Sequence, residues 1–258
     1  MKKTTLTISV ASAYLDALIQ DARISGRTLL AIQAQADSRR NTSQADARAE
    51  TRIESESTVQ EESESTFQQE LEPDIQNQAS AGSAEAESPD LMDDHPFISW
   101  NPGSFASTKA ALIEAETALG GTVNEAILFI DPPSTGNPRL SDLSLGQIEA
   151  ASTTWITGYA QLLRELGRRF AERGSGLILV VLLPGDRDPL GAMAAGAMEA
   201  LACTLAAQTT EAYKLFTVRD ESGQPELLAR YLIKVLDEPP RDSSKLLRHS
   251  GRINLFGK

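Results

Sequence analysis

A chain of 258 residues, 41% of them hydrophobic and 5% aromatic, holds enough apolar material for one α/β domain, or two small ones, around a substantial core. The net charge of −12 comes entirely from the segment between Asp37 and Asp94, where 16 acidic residues face 4 basic ones; the rest of the chain is neutral, which excludes a generally acidic folded surface. The single cysteine, Cys203, excludes an internal disulfide framework and fits a reducing compartment. Polar residues from Lys2 to Thr7 argue against a leader peptide, and apolar runs such as Leu177–Leu183 are too short to cross a bilayer, so the expectation is a soluble cytoplasmic protein.

Leu6, Ile8 and Val10 alternate as in a short strand. Tyr14, Leu15, Leu18, Ile19 and Ala22 then recur at helical spacing, with Gly26 at the C-cap, and Thr28–Ile32 reads as a second strand. From 37 to 95, Ser, Gln, Glu, Ala and Asp dominate, and large apolar side chains are isolated. Ordering a backbone costs roughly 1–2 kcal/mol per residue, more than so little apolar surface offsets, so the expectation is an acidic, mostly disordered insertion. The α/β rhythm returns with a strand at Pro96–Trp100, a helix at Ser104–Leu119, a strand at Ala126–Ile130 and a Pro- and Gly-rich loop over 131–143. A long helix is predicted over Ser144–Glu172, then a strand at Leu177–Leu183, an Ala-rich helix at Pro189–Gln208, a strand at Tyr213–Val218, a helix at Pro225–Leu236 and a possible last strand at Ile253–Phe256. Continuous apolar strands alternating with helices predict a doubly wound, Rossmann-like three-layer sandwich with a central parallel sheet, residues 1–258 forming one domain interrupted by 37–95.

Two stretches carry a family resemblance. Gly120-Gly121-Thr-Val-Asn-Glu-Ala-Ile-Leu-Phe-Ile130, followed by Leu143-Ser-Leu-Gly-Gln147, is similar to short-chain dehydrogenases/reductases approaching their Asn-Asn-Ala-Gly turn. Phe170–Leu183 followed by Met193–Ala206 resembles the family's central strand and active-site helix. The resemblance implies a fold that binds NAD(P) and interconverts alcohols and ketones, yet the chain departs from the family wherever that chemistry resides.

Pyrophosphate needs backbone N–H groups at a helix N-terminus, approached so closely that glycine is required. The family's three-glycine turn is replaced here by Val10, Ala11, Ser12, Ala13, Tyr14, Leu15 and Asp16. Tyr14 and Leu15 are expected to crowd a pyrophosphate and Asp16 to repel it. The Asn-Asn-Ala-Gly turn becomes Ile130-Asp-Pro-Pro-Ser-Thr135, whose prolines remove donors. Alignment puts Ala192 at the catalytic Tyr position, Gly196 at the Lys position, Leu183 near the Ser and Trp155 near the Asn; residues 182–208 contain no Tyr, Lys or Ser. The family's Asn-x-x-x-Pro-Gly corresponds to Thr217–Gly223, and its adenine-side Asp to Trp100 or Asn101, so both are lost. The expectation is no catalytic set and no bound cofactor.

Other chemistry is sparse. His95 and His249 are isolated, and Asp93, Asp94 and His95 lack further spaced ligands, so no metal is expected. Asp131, Asp142, Asp186 and Asp188 read as caps and loop residues, and Ser134 and Thr135 have no base. The basic segment Arg241–Lys258 lacks the interleaved aromatics of a nucleic-acid surface, which leaves an exposed tail or a contact with a neighbouring subunit.

In the family, two long helices pair with the same helices of a second subunit. Trp155, Tyr159, Leu162, Leu166 and Phe170 form one apolar stripe here, and Leu190, Met193, Ala194, Ala197, Met198 and Leu201 a second, so both are expected to contribute to an interface. The preferred reading is a non-catalytic subunit, a pseudoenzyme, that pairs with an active paralogue, with acyl thioesters as the substrate class suggested by analogy. The alternatives are an NAD(P)-dependent oxidoreductase with a displaced site using Tyr159 or Tyr213, and a scaffold that recognises partners through its acidic insertion. No nucleic acid or membrane partner is implied.

Overall fold

In the computed structural model, which describes residues 3–8, 12–34, 97–131, 139–184, 188–208 and 212–251, the apolar runs become neighbouring strands of one parallel sheet. The insertion at 37–95, Val10, Ala11, Ser134, Thr135, Asp186 and the possible strand Ile253–Phe256 lie outside the described residues.

The strands are β1 (Thr4–Ile8), β2 (Thr28–Ala34), β3 (Phe97–Trp100), β4 (Glu125–Ile130), β5 (Leu177–Leu182), β6 (Lys214–Asp220) and β7 (Leu247–His249). They are ordered β3-β2-β1-β4-β5-β6-β7, and each pairing is parallel. All six residues of β4 and of β5 are buried, as continuous apolar strands covered on both faces must be. The order reverses between β1 and β4, which puts a topological switch point beside Ile8 and Leu128.

The helices are α1 (Ser12–Ile24), α2 (Phe105–Ala118), α3 (Leu145–Ala151), α4 (Tyr159–Arg173), α5 (Pro189–Gln208) and α6 (Pro225–Asp237). Strand side chains alternate between faces, so the sheet supports two cores. Leu18 and Ala22 of α1, with Leu228 and Leu232 of α6, pack on Ile127, Phe129, Val181 and Val218. On the other face Leu112, Leu162, Leu166, Ala194 and Met198 cover Ala126, Leu128, Ile178 and Val180. The predicted three-layer, doubly wound α/β sandwich is therefore the observed one.

Three elements differ from expectation. The helix predicted over Ser144–Glu172 contains a π-helical segment, Ser152–Gly158, between α3 and α4. Gly158 is needed there, because a Cβ would stand 2.5 Å from Pro102 Cβ and 2.7 Å from its carbonyl oxygen. The seventh strand is Leu247–His249, in register with Val218–Asp220; three residues with two polar side chains are too short to show a period. The described part of the basic segment folds onto its own chain: Arg248 pairs with Glu221 and Lys245 with Asp242, both at 3.4 Å, and the Ser243 hydroxyl donates to the Ala206 carbonyl at 3.2 Å. Unlike the short run Leu177–Leu183, α5 is a 20-residue helix of hydropathy 1.5, long and apolar enough by length and composition to span a membrane. Here it is a layer of the sandwich, with Leu190, Ala194, Met198, Ala202 and Ala206 buried.

Candidate functional site: the carboxyl edge of the sheet

Ligands of open α/β sheets bind outside the carboxyl ends of the strands at the switch point. In this chain that edge is built from the first turn of α1, Asp131 after β4, Leu183 after β5 and Asp220 at the end of β6.

Of the residues replacing the glycine turn, Tyr14 fills the mouth. Its ring is half-buried, packs against the α1/α6 core and lies with its centroid 6.2 Å from that of Phe129. Burial raises its pKa, and the nearby Asp220 and Asp131 carboxylates raise it further. Leu15 is buried, whereas Ala13 and Asp16 are exposed. The crowding expected of Tyr14 and Leu15 together thus falls to Tyr14 alone, because helical geometry turns Leu15 into the core.

The negative charge at this edge comes from Asp131 and Asp220 rather than from the exposed Asp16. Asp131 is half-buried, and desolvation holds its carboxyl above the usual range. Asp220 is 2% exposed; Oδ1 accepts from the Ser222 amide at 3.0 Å and hydroxyl at 2.6 Å, and Oδ2 from the Gly223 amide at 3.2 Å. Gly223, at φ +61°, completes that turn. Two carboxylates at this edge oppose the binding of an anion there.

On the opposite face, Trp155 from the π-helical segment stacks on Tyr159 at 5.6 Å, and Trp100 meets Tyr159 edge-on at 5.3 Å. Trp100 Nε1 donates to Thr108 Oγ1 at 3.0 Å. Among the described residues the buried Tyr159 hydroxyl has no hydrogen-bond partner, and burial, with the nearby Asp131, raises its pKa strongly. A phenol so buried, with its pKa raised, stays protonated near neutral pH.

At the positions aligned with the catalytic Tyr and Lys, Ala192 and Gly196 are exposed on α5, and Leu183 is buried in the α1/α6 core. The helix does carry two ionisable groups, Glu199 and Cys203, of types other than Tyr, Lys and Ser. Glu199 is ion-paired with Arg219 of β6, and Cys203 is partly buried. Asp188 caps α5, accepting from the Leu190 amide at 2.8 Å, and Asp142 caps a short 3-10 turn, accepting from the Arg139 amide at 3.3 Å. His249 stacks on Tyr231 at 4.8 Å in β7. Among the described residues no three His, Cys, Asp or Glu side chains gather as metal ligands.

The expected interface needs correcting. Trp155, Tyr159, Leu162, Leu166 and Phe170 are all buried within the chain, because their helical stripe is the one that covers the sheet. Leu190, Ala194 and Met198 are buried likewise. Met193, Ala197 and Leu201 remain partly exposed, beside the exposed Ala192, Gly196 and Ala200.

No family model matches the sequence, and no curated protein matches it. Solved structures do. A protein assigned as a 3-oxoacyl-reductase of Bacillus thuringiensis superposes with a TM-score of 0.64 over 99% of both chains, at 12% identity. A short-chain dehydrogenase/reductase of Brucella ovis, in complex with partially ordered NAD, gives 0.61 over 96% of this chain and 99% of its own, at 10% identity. A 3-ketoacyl-(acyl-carrier-protein) reductase of Brucella melitensis, complexed with NADH, gives 0.61 over 97% and 98%, at 14% identity. The chain therefore has the fold of the short-chain dehydrogenases/reductases.

Proposed function

We propose that this chain is a non-catalytic subunit that pairs through α5 with an active short-chain dehydrogenase/reductase and stabilises or regulates it. The observation that carries the reading is the outer face of α5. The helix has a mean hydropathy of 1.5, yet only 33% of it is buried within the chain. Its exposed side presents Ala192, Gly196 and Ala200, flanked by Met193, Ala197 and Leu201. Small side chains allow another helix to approach closely, and covering them removes apolar area worth about 25 cal/mol per Å² from water.

The carboxyl edge supports the non-catalytic half of the reading. A glycine cradle is replaced by a side chain that fills the mouth, two carboxylates stand at this edge, and the acid/base helix offers Ala192 and Gly196. Likeness to structures described as oxoacyl and ketoacyl reductases supports acyl thioesters as the partner's substrate class.

Calorimetric titration with NAD(H) and NADP(H), of the chain alone and of the chain co-expressed with a dehydrogenase encoded beside it, tests both halves. The expected result is no heat for the chain alone and one cofactor bound per mixed pair. Saturable binding by the chain alone, or recovery of only self-associated chains, would overturn it.

A further inference from the structure

We propose that the groove between the C-terminal ends of α1 and α6 binds a free α-amino acid with an apolar side chain, its ammonium beside Asp21 and its carboxylate on Arg230 and Lys234. The inference goes beyond the pairing reading and does not depend on it. α1 and α6 cover the face of the sheet opposite α5, and the groove lies at the amino edge, away from the carboxyl-edge site.

The packing of the two helices builds the walls. Leu18 and Ala22 of α1 and Leu228 and Leu232 of α6 sit on the same core, which sets the helices side by side. Both run from the carboxyl edge back to the amino edge, and they end there at Ile24 and Asp237. Asp21 and Ile24, three apart, share one face of α1; Arg230, Ile233 and Lys234, at i, i+3 and i+4, share one face of α6. Between these faces lies a cavity of about 330 Å³. That is the lower end of the range for small-molecule sites, which suits an amino acid and not a dinucleotide.

The groove holds both signs of charge on separate walls. Asp21 stands on the α1 side and Arg230 and Lys234 on the α6 side, and none of the three has an ion-pair partner among the described residues. Asp237, which also lines the groove, is already engaged, by Arg27 Nη2 at 2.7 Å and Lys3 Nζ at 3.2 Å. A ligand of one sign would be attracted by one wall and repelled by the other, whereas a zwitterion satisfies both. The last carbonyls of both helices carry partial negative charge, so they favour an ammonium at this end along with Asp21 and Glu238. Arg230 and Lys234 stand a turn or more back along α6, where they receive the carboxylate.

The remaining lining is aliphatic. Ile24 is 79% exposed, the most exposed large hydrophobic side chain among the described residues, and Ile233 is 8% exposed beside it. Both are β-branched and stiff, so the apolar surface is formed before a ligand arrives. An aliphatic ligand side chain laid over Ile24 removes that surface from water.

Titration of the isotope-labelled full chain with L-leucine, followed by amide chemical shifts, tests the assignment. Saturable shifts centred on residues 21–25 and 230–238 are expected. L-Leucinamide lacks the carboxylate and N-acetyl-L-leucine the ammonium, and each should bind about fivefold more weakly, as for an exposed charge pair. Lys234→Gln should weaken leucine by a similar factor and leave leucinamide unchanged, while Asp21→Asn should weaken leucine and leave N-acetyl-leucine unchanged. No saturable shift with leucine, shifts centred elsewhere, equal affinity for the three compounds, or variants that weaken all three alike would overturn the proposal.

Discussion

Arg27 and Glu125 form a buried ion pair at the amino edge of the sheet, Nε to Oε2 at 3.1 Å, with side chains 2% and 8% exposed. Thr5 Oγ1 donates to the same carboxylate oxygen at 2.8 Å, and Arg27 Nη2 reaches Asp237 at the end of α6 at 2.7 Å. The hydrogen bond from Arg27 holds Asp237 below the usual carboxylate range. Removing Arg27 leaves the buried Glu125 charge with only the Thr5 hydroxyl and the half-exposed Lys3, Nζ at 3.9 Å, to offset its lost hydration. Arg27→Met is therefore expected to destabilise the chain by about 3–5 kcal/mol, whereas Arg27→Met with Glu125→Met should recover most of that loss. Urea unfolding of the three proteins decides it, and a double variant as unstable as the single one would show that the pair itself, not the orphaned charge, supplies the stability.

Tyr159 leads to a gain instead of a loss. Its ring packs in the core against Trp100 and Trp155, and its buried hydroxyl has no hydrogen-bond partner among the described residues. Tyr159→Phe keeps the packing and removes an unsatisfied group, which should stabilise the chain by about 1 kcal/mol or more. Trp100 and Trp155 are the chain's two tryptophans and both touch this ring, so their fluorescence reports the site directly. An unchanged emission maximum with a higher urea midpoint is expected; a lower midpoint would mean that the hydroxyl has a partner.

The outer face of α5 makes a third prediction possible, because Gly196 is exposed and a Cβ there would meet nothing within 4 Å. Gly196→Arg therefore leaves the isolated chain folded and relieves the helix of a glycine, a gain of about 1 kcal/mol at most. It also places a charge in the middle of the proposed pairing face. Size-exclusion chromatography with the co-expressed partner should show the mixed oligomer lost while thermal unfolding of the chain alone is unimpaired. A mixed oligomer that survives would place the pairing surface elsewhere.

The layered fold was legible because apolar strands and amphipathic helices carry their burial in their own periods. Ile127 and Phe129 against Ala126, Leu128 and Ile130 already divide the two cores. What periodicity could not say was which side of a helix faces the sheet and which faces a partner, and so the Trp155–Phe170 stripe was assigned to the wrong surface. Pairings between distant residues were equally hidden. Arg27 and Glu125 are 98 positions apart, and Tyr14 of α1 meets Phe129 of β4 only because the sheet brings their elements together. Gly158 gave no local signal, since the constraint on it comes from Pro102 on another connection. At the candidate site the missing glycines, Tyr, Lys and Ser were plain, because an absent residue type needs no geometry to be noticed.

Asp131 carries the pH dependence of the carboxyl edge. Desolvation raises its pKa above the unfolded value, so between those two values the folded state binds more proton than the unfolded chain. Its ionisation therefore lowers stability as pH rises through that interval, and the deficit is complete above the folded pKa. The Tyr14 and Tyr159 hydroxyls, whose pKa values Asp131 helps to raise, stay neutral throughout and add no compensating charge. Asp131→Asn is expected to be more stable than the unaltered chain near neutral pH, by an amount that shrinks on acidification and vanishes below the ordinary carboxylate range. Urea midpoints of both proteins from about pH 4 to about pH 8 measure the difference. An offset constant with pH would show that the substitution acts through packing, and a less stable Asn variant at neutral pH would show that the carboxylate is held by a favourable partner rather than merely stranded.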